Sequence, residues 1–255
     1  MAKPSRELSL EETLTLTFDL YSKNFVKFFI PILVSSFLIG ILGNIILSYF
    51  MNIPQIPPRA TPQEVWSLLF TYLIGILPTA FTLGILSWII SAIANGVCTK
   101  CASDLIEKGS ASLEHAFNFT VSRLVPLLIG AIIAGVLTLL GLIALVIPGV
   151  ILAVMFSLVV PAIIIENLGA ISSLSRSRIL VSNRWLKTFG LTLIIGIIAG
   201  ITSFIASLIA MPLGSFRWLL GSIISAFVGP ISPIAMTVYF YSMLARHQQG
   251  SPPPP

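Results

Sequence analysis

The sequence predicts an all-α polytopic membrane protein with six transmembrane helices. Of its 255 residues, 56% are hydrophobic and only 9% are charged, whereas an average soluble domain is roughly 25% charged. The mean hydropathy is +1.02, and several apolar runs exceed the roughly 18 residues that mark a bilayer span. These runs are continuous rather than alternating, which excludes a transmembrane β-barrel as well as a soluble or disordered chain.

Each apolar run predicts one helix, because in hydrocarbon an α-helix is the only open structure that satisfies every backbone hydrogen-bonding group. The six predicted spans cover residues 28–50, 65–94, 124–147, 150–165, 189–211 and 218–244, within a single domain of residues 1–250. Only Pro148 and Gly149 separate the third span from the fourth, which predicts a tight hairpin rather than one overlong span. Prolines inside spans two and six, at Pro78, Pro230 and Pro233, predict kinks.

The two ends of the sequence are polar and short. Residues 1–24 carry no short apolar core before a small-residue cleavage site, so we do not expect a signal peptide. Residues 251–255 form a proline tail that predicts polyproline II, either as a solvated end or as a docking peptide for a proline-reading domain.

The basic residues are distributed unevenly between the two sides of the predicted spans. Arg59 and Arg217 lie on one side, and the other twelve of the 14 Lys and Arg residues lie on the opposite side. The positive-inside rule then predicts a multi-pass protein of the cell membrane with both termini in the cytoplasm. We attribute the net charge of +5 to attraction between this cytoplasmic face and anionic lipid headgroups, and not to nucleic acid.

Three polar segments lead into the odd-numbered spans, and they predict short helices that begin near Ser9, Ser112 and Glu166. In the first segment apolar residues follow helical spacing, and Ser9 with Glu12 fits a capping box. Residues 14–20 also alternate like a strand, but a lone strand beside a bilayer would have no partner. We therefore expect three repeats, each of an interfacial helix plus a transmembrane hairpin.

Residues 161–170, which read PAIIIENLGA, are followed by an Arg-Ser helix at 175–178 and by Asn183-Arg184-Trp185. Together with residues 141–151 they resemble a family of six-helix prokaryotic membrane proteins. That family is related to the membrane domain found beside some glycerophosphodiester phosphodiesterases. The resemblance implies a fold and no activity, because the catalytic part of those enzymes is a separate barrel domain. No soluble segment here is long enough to be one.

Glu166 is the carboxylate with the most informative surroundings, because it closes span four beside several basic residues. One interpretation is a structural ion pair with Arg176, Arg178 or Arg184, which would hold the turn before the next polar helix. The other interpretation is a ligand site for a cation or a polar molecule.

Two cysteines in a C-x-x-C spacing, Cys98 and Cys101, end span two. With His115 and His247 they would complete a Cys₂His₂ zinc site if three distant segments converged. The alternative is that both are small hydrophobic residues in a reducing compartment, without a metal.

Asn44 and Asn95 are the large polar residues in or near the spans. Asparagine amides in hydrocarbon commonly form hydrogen bonds between helices, although a substrate site is an alternative. Glycine pairs at 40/43, 130/135 and 196/200 predict close helix contacts, and Gly196-x-x-x-Gly200 has the spacing of a small-residue packing motif.

The residues absent from the spans limit the function more than any motif does. No Asp, Glu, Lys, Arg or His lies deep within them, although ion-coupled transporters usually keep such groups at membrane depth. No P-loop, HExxH or Ser-His-Asp arrangement occurs, so we expect no enzyme and no cofactor. The predicted function is a non-enzymatic scaffold, accessory subunit or lipid-organising protein, with membrane lipids and other membrane proteins as partners. The alternative is a transporter or channel for a neutral or apolar solute, because broken helices often line such sites.

Overall fold

The structure confirms the all-α polytopic fold. A computed structural model describes residues 3–51 and 57–249, and this part of the chain contains helices and no strand. Six segments are long and apolar enough to cross a membrane: Phe25–Ser48, Pro62–Lys108, Leu124–Ala144, Val146–Ile165, Trp185–Gly214 and Arg217–Gln249. Each of the six predicted spans overlaps one of them. The proline tail at 251–255 lies outside the described residues.

Three short polar helices occur among the apolar helices of the described part of the chain. In order, the helices are α1 (Leu10–Lys23), α2 (Phe25–Met51), α3 (Pro62–Lys108), α4 (Leu113–Ser122), α5 (Leu124–Ala144), α6 (Val146–Met155), α7 (Val159–Ile165), α8 (Ala170–Ser182), α9 (Trp185–Ala210), α10 (Arg217–Val228) and α11 (Ile231–Gln249), with a 3₁₀ turn at Met211–Phe216. The short helices α1, α4 and α8 lead directly into the long helices α2, α5 and α9. The threefold repeat itself stays a prediction.

Each short helix buries small side chains at the fourth and eighth residues after its N-cap. These fully buried residues are Thr13 and Thr17 in α1, Ala116 and Thr120 in α4, and Ser173 and Ser177 in α8. They allow α1 to pack on α11, α4 on α3, and α8 on α7. The capping box of Ser9 and Glu12 begins α1 as predicted, and the segment is a helix rather than a strand.

The hairpin between α5 and α6 turns at Leu145, so the prediction that it turns at Pro148 and Gly149 is wrong. Leu145 has extended backbone angles (φ −163°, ψ 145°), and the other two residues lie near the start of α6. Proline is tolerated there because the first N–H groups of a helix have no acceptor within it. Gly149 packs against α5, where a Cβ would lie 2.4 Å from Cγ of Leu142.

The fourth span is not one helix from 150 to 165, because it breaks at residues 156–158 between α6 and α7. The Ser177 hydroxyl of α8 donates to the Met155 carbonyl oxygen (2.6 Å) and accepts from the Leu158 N–H (3.2 Å). A broken helix inside a bilayer is tolerated when other groups satisfy the freed backbone atoms. The short helix α8 therefore completes the hydrogen bonding of the span beside it.

The sixth span breaks at Gly229 and Pro230, between α10 and α11, where the sequence predicts a kink. The Tyr21 hydroxyl of α1 donates to the Phe227 carbonyl oxygen at 2.9 Å, just before this break. Both broken spans are thus supported by a hydroxyl group from a short polar helix.

The second span is the longest helix and is not broken. Pro78 does not interrupt α3, which continues from the predicted end at residue 94 to Lys108. At 1.5 Å per residue its 47 residues extend about 70 Å, roughly twice the 30 Å thickness of the hydrocarbon core. Its last turns therefore lie among the short polar helices.

The centre of the bundle is filled by α3, α7 and α11. Tyr239, Phe240 and Tyr241 of α11 are 0% exposed, as are Cys101 and Ala102 of α3. The outer surfaces of the long helices carry large exposed apolar side chains, as a surface in contact with lipid requires.

Only some of the predicted glycine contacts form within the chain. Gly40 of α2 lies against Trp218 and Ser222 of α10, and Gly130 of α5 lies against Val159 of α7. A Cβ would have no neighbour within 4 Å at Gly43, Gly135, Gly196 or Gly200. The predicted packing motif at 196–200 is therefore wrong for contacts inside this chain, because α9 turns that face outward.

Candidate functional site

Charged and hydroxyl side chains gather at one end of the bundle. We call this region the polar layer and define it as residues 3–27, 97–123, 166–187 and 237–249, which include α1, α4 and α8. The geometry of the polar layer determines which of the predicted site residues contact one another. Asn95 lies in a second polar region, a cavity in the side of the bundle.

Glu7 is the most highly connected carboxylate of the polar layer. It accepts from Arg184 Nε at 3.0 Å and Lys187 Nζ at 2.6 Å, and Arg246 Nε lies 3.4 Å away. Although burial acts to raise it, the hydrogen bonds from Lys187 and Arg184 hold the pKa of Glu7 below its usual value. The N-terminal segment is held further by the Leu8 N–H, which donates to Ser242 Oγ at 2.8 Å.

Asp104 forms a second cluster, on α3. Its carboxylate is 3% exposed and accepts from Lys100 Nζ at 3.0 Å and Lys108 Nζ at 2.9 Å. Lys100 also lies over the ring of Phe119 in α4, with 4.7 Å between Nζ and the ring centroid. These contacts join the end of α3 to α4.

Glu166 and Arg176 form a bidentate ion pair. Nε and Nη2 of Arg176 donate to the two carboxylate oxygens at 2.8 and 2.7 Å, and both side chains are about a quarter exposed. The other two candidate partners lie elsewhere: Arg184 contacts Glu7, and Arg178 is exposed on α8. The pair joins the end of α7 to α8, across the Asn167 residue whose φ is +58°.

The two cysteines and two histidines do not meet. Cys98 and Cys101 are fully buried in α3, and the Cys98 thiol lies 3.8 Å from the Phe28 carbonyl oxygen. His115 is exposed on α4, and His247 is exposed near the end of α11. Within residues 3–51 and 57–249, no group of three or more His, Cys, Asp or Glu residues could hold a metal ion. The predicted alternative of a zinc site is therefore wrong for this arrangement.

The two asparagines do not join helices as predicted. Asn44 is exposed on α2. The Asn95 amide nitrogen donates within its own helix, to the Ser91 carbonyl oxygen at 2.8 Å and to Ser91 Oγ at 3.3 Å. This leaves the Asn95 side chain beside a cavity instead of in a helix–helix contact.

We call this space the lateral cavity, and its volume is about 340 Å³. It lies between α3, α5, α7 and α11, beside both helix breaks. Its polar lining residues are Ser91, Asn95, Thr99, Ser157 and Ser232, and its apolar ones include Trp88, Leu127, Ala131, Val160 and Met236. Trp88 is 37% exposed on the outer surface of α3, so this side of the cavity borders the lipid-facing surface.

Most of the charge in the polar layer is neutralised inside the chain. Within the described residues, eight basic side chains pair with carboxylates: Arg6, Lys23, Lys100, Lys108, Arg176, Arg184, Lys187 and Arg246. The pairs of Arg176, Arg184, Lys187 and Arg246 connect separate segments, whereas the other four are local. The polar layer therefore presents fewer unpaired charges than the sequence suggests.

Sequence reasoning missed Glu7, Asp104, Ser177 and Tyr21. Asp104 had a local signal, because Lys100 and Lys108 stand four residues before and after it on one helix. Glu7 had none, because its partner Arg184 is 177 residues away. The two hydroxyl groups act at helix breaks, one of which the sequence did not predict.

Comparison with known proteins identifies a family for most of the chain. Residues 25–244 match the family described as a domain of unknown function, DUF7847. No curated protein and no solved structure matches the chain.

Proposed function

The chain belongs to the DUF7847 family, and from this premise we propose that it is a non-enzymatic scaffold, accessory subunit or lipid-organising protein of the cell membrane. The observation that carries the proposal is the filled centre of the bundle. Tyr239, Phe240 and Tyr241 of α11 are fully buried at the polar layer, where α11 packs against α3 and α7. A solute would need a route through these close-packed side chains.

In this proposal the polar layer faces the cytoplasm, together with both termini, as the distribution of basic residues favours. Four basic residues of this side form no ion pair within the described residues: Lys3, Lys27, Arg123 and Arg178. Lys3 lies over the ring of Tyr241, so we assign Lys27, Arg123 and Arg178 to anionic headgroups. On α8, Arg178 lies beside Ile171 and Ile179, which are 76% and 50% exposed. Exposed apolar and basic groups on one helix face are typical of a helix at the membrane interface.

The lipid part of the proposal is tested by native extraction. We would extract the chain with its surrounding lipids into polymer nanodiscs and quantify the lipids by mass spectrometry. We expect anionic lipid to be enriched over the bulk membrane, and the triple variant Lys27→Gln, Arg123→Gln, Arg178→Gln to lose that enrichment. The matched control, Arg6→Gln, Lys23→Gln, Lys108→Gln, removes the same charge from paired residues and should retain it. Equal loss in both variants would contradict the role of the unpaired groups.

The absence of transport is tested in liposomes. Purified protein should release a trapped neutral solute such as glycerol no faster than empty liposomes do. Faster release, abolished by blocking the lateral cavity, would overturn the scaffold proposal and favour the alternative.

The alternative, a transporter or channel for a neutral or apolar solute, has one observation in its favour. The breaks at 156–158 and 229–230 lie beside one cavity, and broken helices commonly line transport sites. Kinship with the membrane domain of glycerophosphodiester phosphodiesterases also stays a prediction, and it concerns the fold alone.

A further inference from the structure

We propose that the lateral cavity binds a neutral glycerolipid with at least one free hydroxyl group, such as a monoacylglycerol. This goes beyond the proposed function, whose lipid part concerns anionic headgroups at the polar layer, and the binding is measured without any assay of transport or assembly.

The cavity lies where two spans lose regular helical hydrogen bonding. Pro161 and Pro233 both line it and have no N–H, so the carbonyl groups of Ser157 and Gly229 have no donor four residues later. Irregular backbone in a membrane is tolerated only where it is buried in protein or lines a cavity. A ligand with hydrogen-bond donors can bind there, because it would pair with these carbonyl groups.

Thr99 is the observation that points to a ligand. It is 1% exposed and lines the cavity, yet within the described part of the chain its hydroxyl group has no hydrogen-bond partner. Thr82 of the same helix and Thr237 of α11 donate instead to the carbonyl oxygen four residues earlier. Among the fully buried side-chain polar atoms of the described residues, only Trp185 Nε1 has no hydrogen-bond partner. The unpaired Thr99 hydroxyl group is therefore not sealed in the protein but opens onto the cavity, where a ligand oxygen can pair with it.

Asn95 supplies an acceptor one helical turn from Thr99. Its amide nitrogen is used by Ser91, which leaves the amide oxygen available to a ligand hydroxyl group. Ser232, exposed at the start of α11, adds a further hydroxyl group to the lining. The cavity therefore offers both donors and an acceptor, which match the hydroxyl and ester oxygens of a glycerolipid headgroup.

The remaining lining determines the charge and shape of the ligand. No Asp, Glu, Lys, Arg or His is among the lining residues, so an ion would be desolvated without a counter-charge and a neutral molecule is favoured. Leu127, Ala131 and Val160 give an apolar wall suited to the first part of an acyl chain. The volume of about 340 Å³ lies within the usual range of about 300–1,000 Å³ for ligand sites.

The experiment uses the purified full chain in nanodiscs and a monoacylglycerol with a diazirine in its acyl chain. After photolysis, peptide mass spectrometry should place the label near residues 88–99 of α3 and 157–161. Unlabelled monoacylglycerol should compete, whereas a lysophosphatidic acid with the same acyl chain should not. Label spread evenly over the lipid-facing helices, or equal competition by the anionic lipid, would overturn the proposal.

Three variants make the result specific. Asn95→Leu with Thr99→Val should weaken binding at least tenfold, because both hydrogen-bonding groups are lost. Ala131→Phe should block the cavity while leaving the Asn95 and Thr99 side chains unchanged. It therefore tests the site even if the first variant fails to fold. Thr82→Val on the same helix is the matched control and should bind as the wild type does. Unchanged binding in a folded Ala131→Phe protein would contradict the site.

Discussion

Glu7 joins three parts of the chain that lie far apart in sequence. Its carboxylate contacts Arg184 and Lys187 near the start of α9 and Arg246 near the end of α11. Because a single side chain neutralises several basic groups, its loss leaves several charges poorly compensated at once.

We predict that Glu7→Gln lowers the thermal stability of the protein in detergent. The side chain is about one fifth exposed, so we expect a cost of about 1 kcal/mol rather than the larger cost of a fully buried pair. The measurement is the shift in melting temperature. Glu11→Gln on the exposed face of α1 is the control and should change it little; an equal shift in both variants would contradict the role of Glu7.

We also predict that the difference in stability between wild type and Glu7→Gln depends on pH. The pKa of Glu7 is lowered in the folded state, so its stabilising contribution is present above the unfolded pKa of about 4.3 and is lost as pH falls through the lower folded value. The difference in melting temperature between wild type and Glu7→Gln should stay constant from neutral pH to about 5 and shrink below 4. A difference that persists unchanged at pH 3 would show that another group carries it.

At the scale of the elements, the short polar helices complete the hydrogen bonding of the broken spans. Ser177 satisfies both a donor and an acceptor at the break between α6 and α7, and Tyr21 satisfies a carbonyl group at the end of α10. The breaks are therefore stable features of the fold rather than frayed helix ends.

Replacing Ser177 by alanine tests this directly. The variant leaves the Leu158 N–H and the Met155 carbonyl group without their partner, and a buried unsatisfied group costs about 1–3 kcal/mol. We expect a lower melting temperature and faster hydrogen exchange at residues 155–159. Ser182→Ala is the matched control, because that exposed serine bonds only to its own helix. Unaltered exchange at the break would show that Ser177 does not hold it.

The contact between α5 and α6 depends on a close backbone approach. A Cβ at Gly149 would lie 2.6 Å from the Leu142 backbone nitrogen, whereas a Cβ at Gly200 would meet no atom within 4 Å. Gly149→Ala should therefore destabilise the protein by about 1–3 kcal/mol through overpacking, and Gly200→Ala should not. Melting temperatures in detergent compare the two, and equal values would contradict the tight hairpin.

At the scale of the whole molecule, the orientation predicts which sites a reagent can reach. Cysteine at Pro58 should react with an impermeant thiol reagent from outside intact cells, and cysteine at Ser110 or Ser182 only after the cells are opened. The wild type is the control, because Cys98 and Cys101 are 0% exposed. The opposite labelling pattern would reverse the proposed topology.

The sequence by itself determined the features that depend on local composition. The six spans can be predicted because the favourable free energy of transferring apolar residues into lipid adds up along a segment. The cap of α1 is readable because Ser9 and Glu12 are three residues apart. Glu166 and Arg176 are only ten residues apart, separated by one turn and the start of the next helix. The sequence therefore predicted an ion pair of Glu166, but it did not distinguish Arg176 from Arg178 or Arg184 as the partner.

Only the tertiary structure decided which distant groups meet. Glu7 and Arg246, the two hydroxyl groups at the helix breaks, and the four elements around the lateral cavity come from separate parts of the chain. In spans made almost entirely of apolar residues, many helix rotations bury similar area. The outward face of Gly196 and Gly200 therefore could not be read from their spacing. A few polar and small side chains select one arrangement. In a close-packed interior without water, the free-energy cost of an unsatisfied hydrogen bond or a steric overlap exceeds that of a small difference in apolar contact.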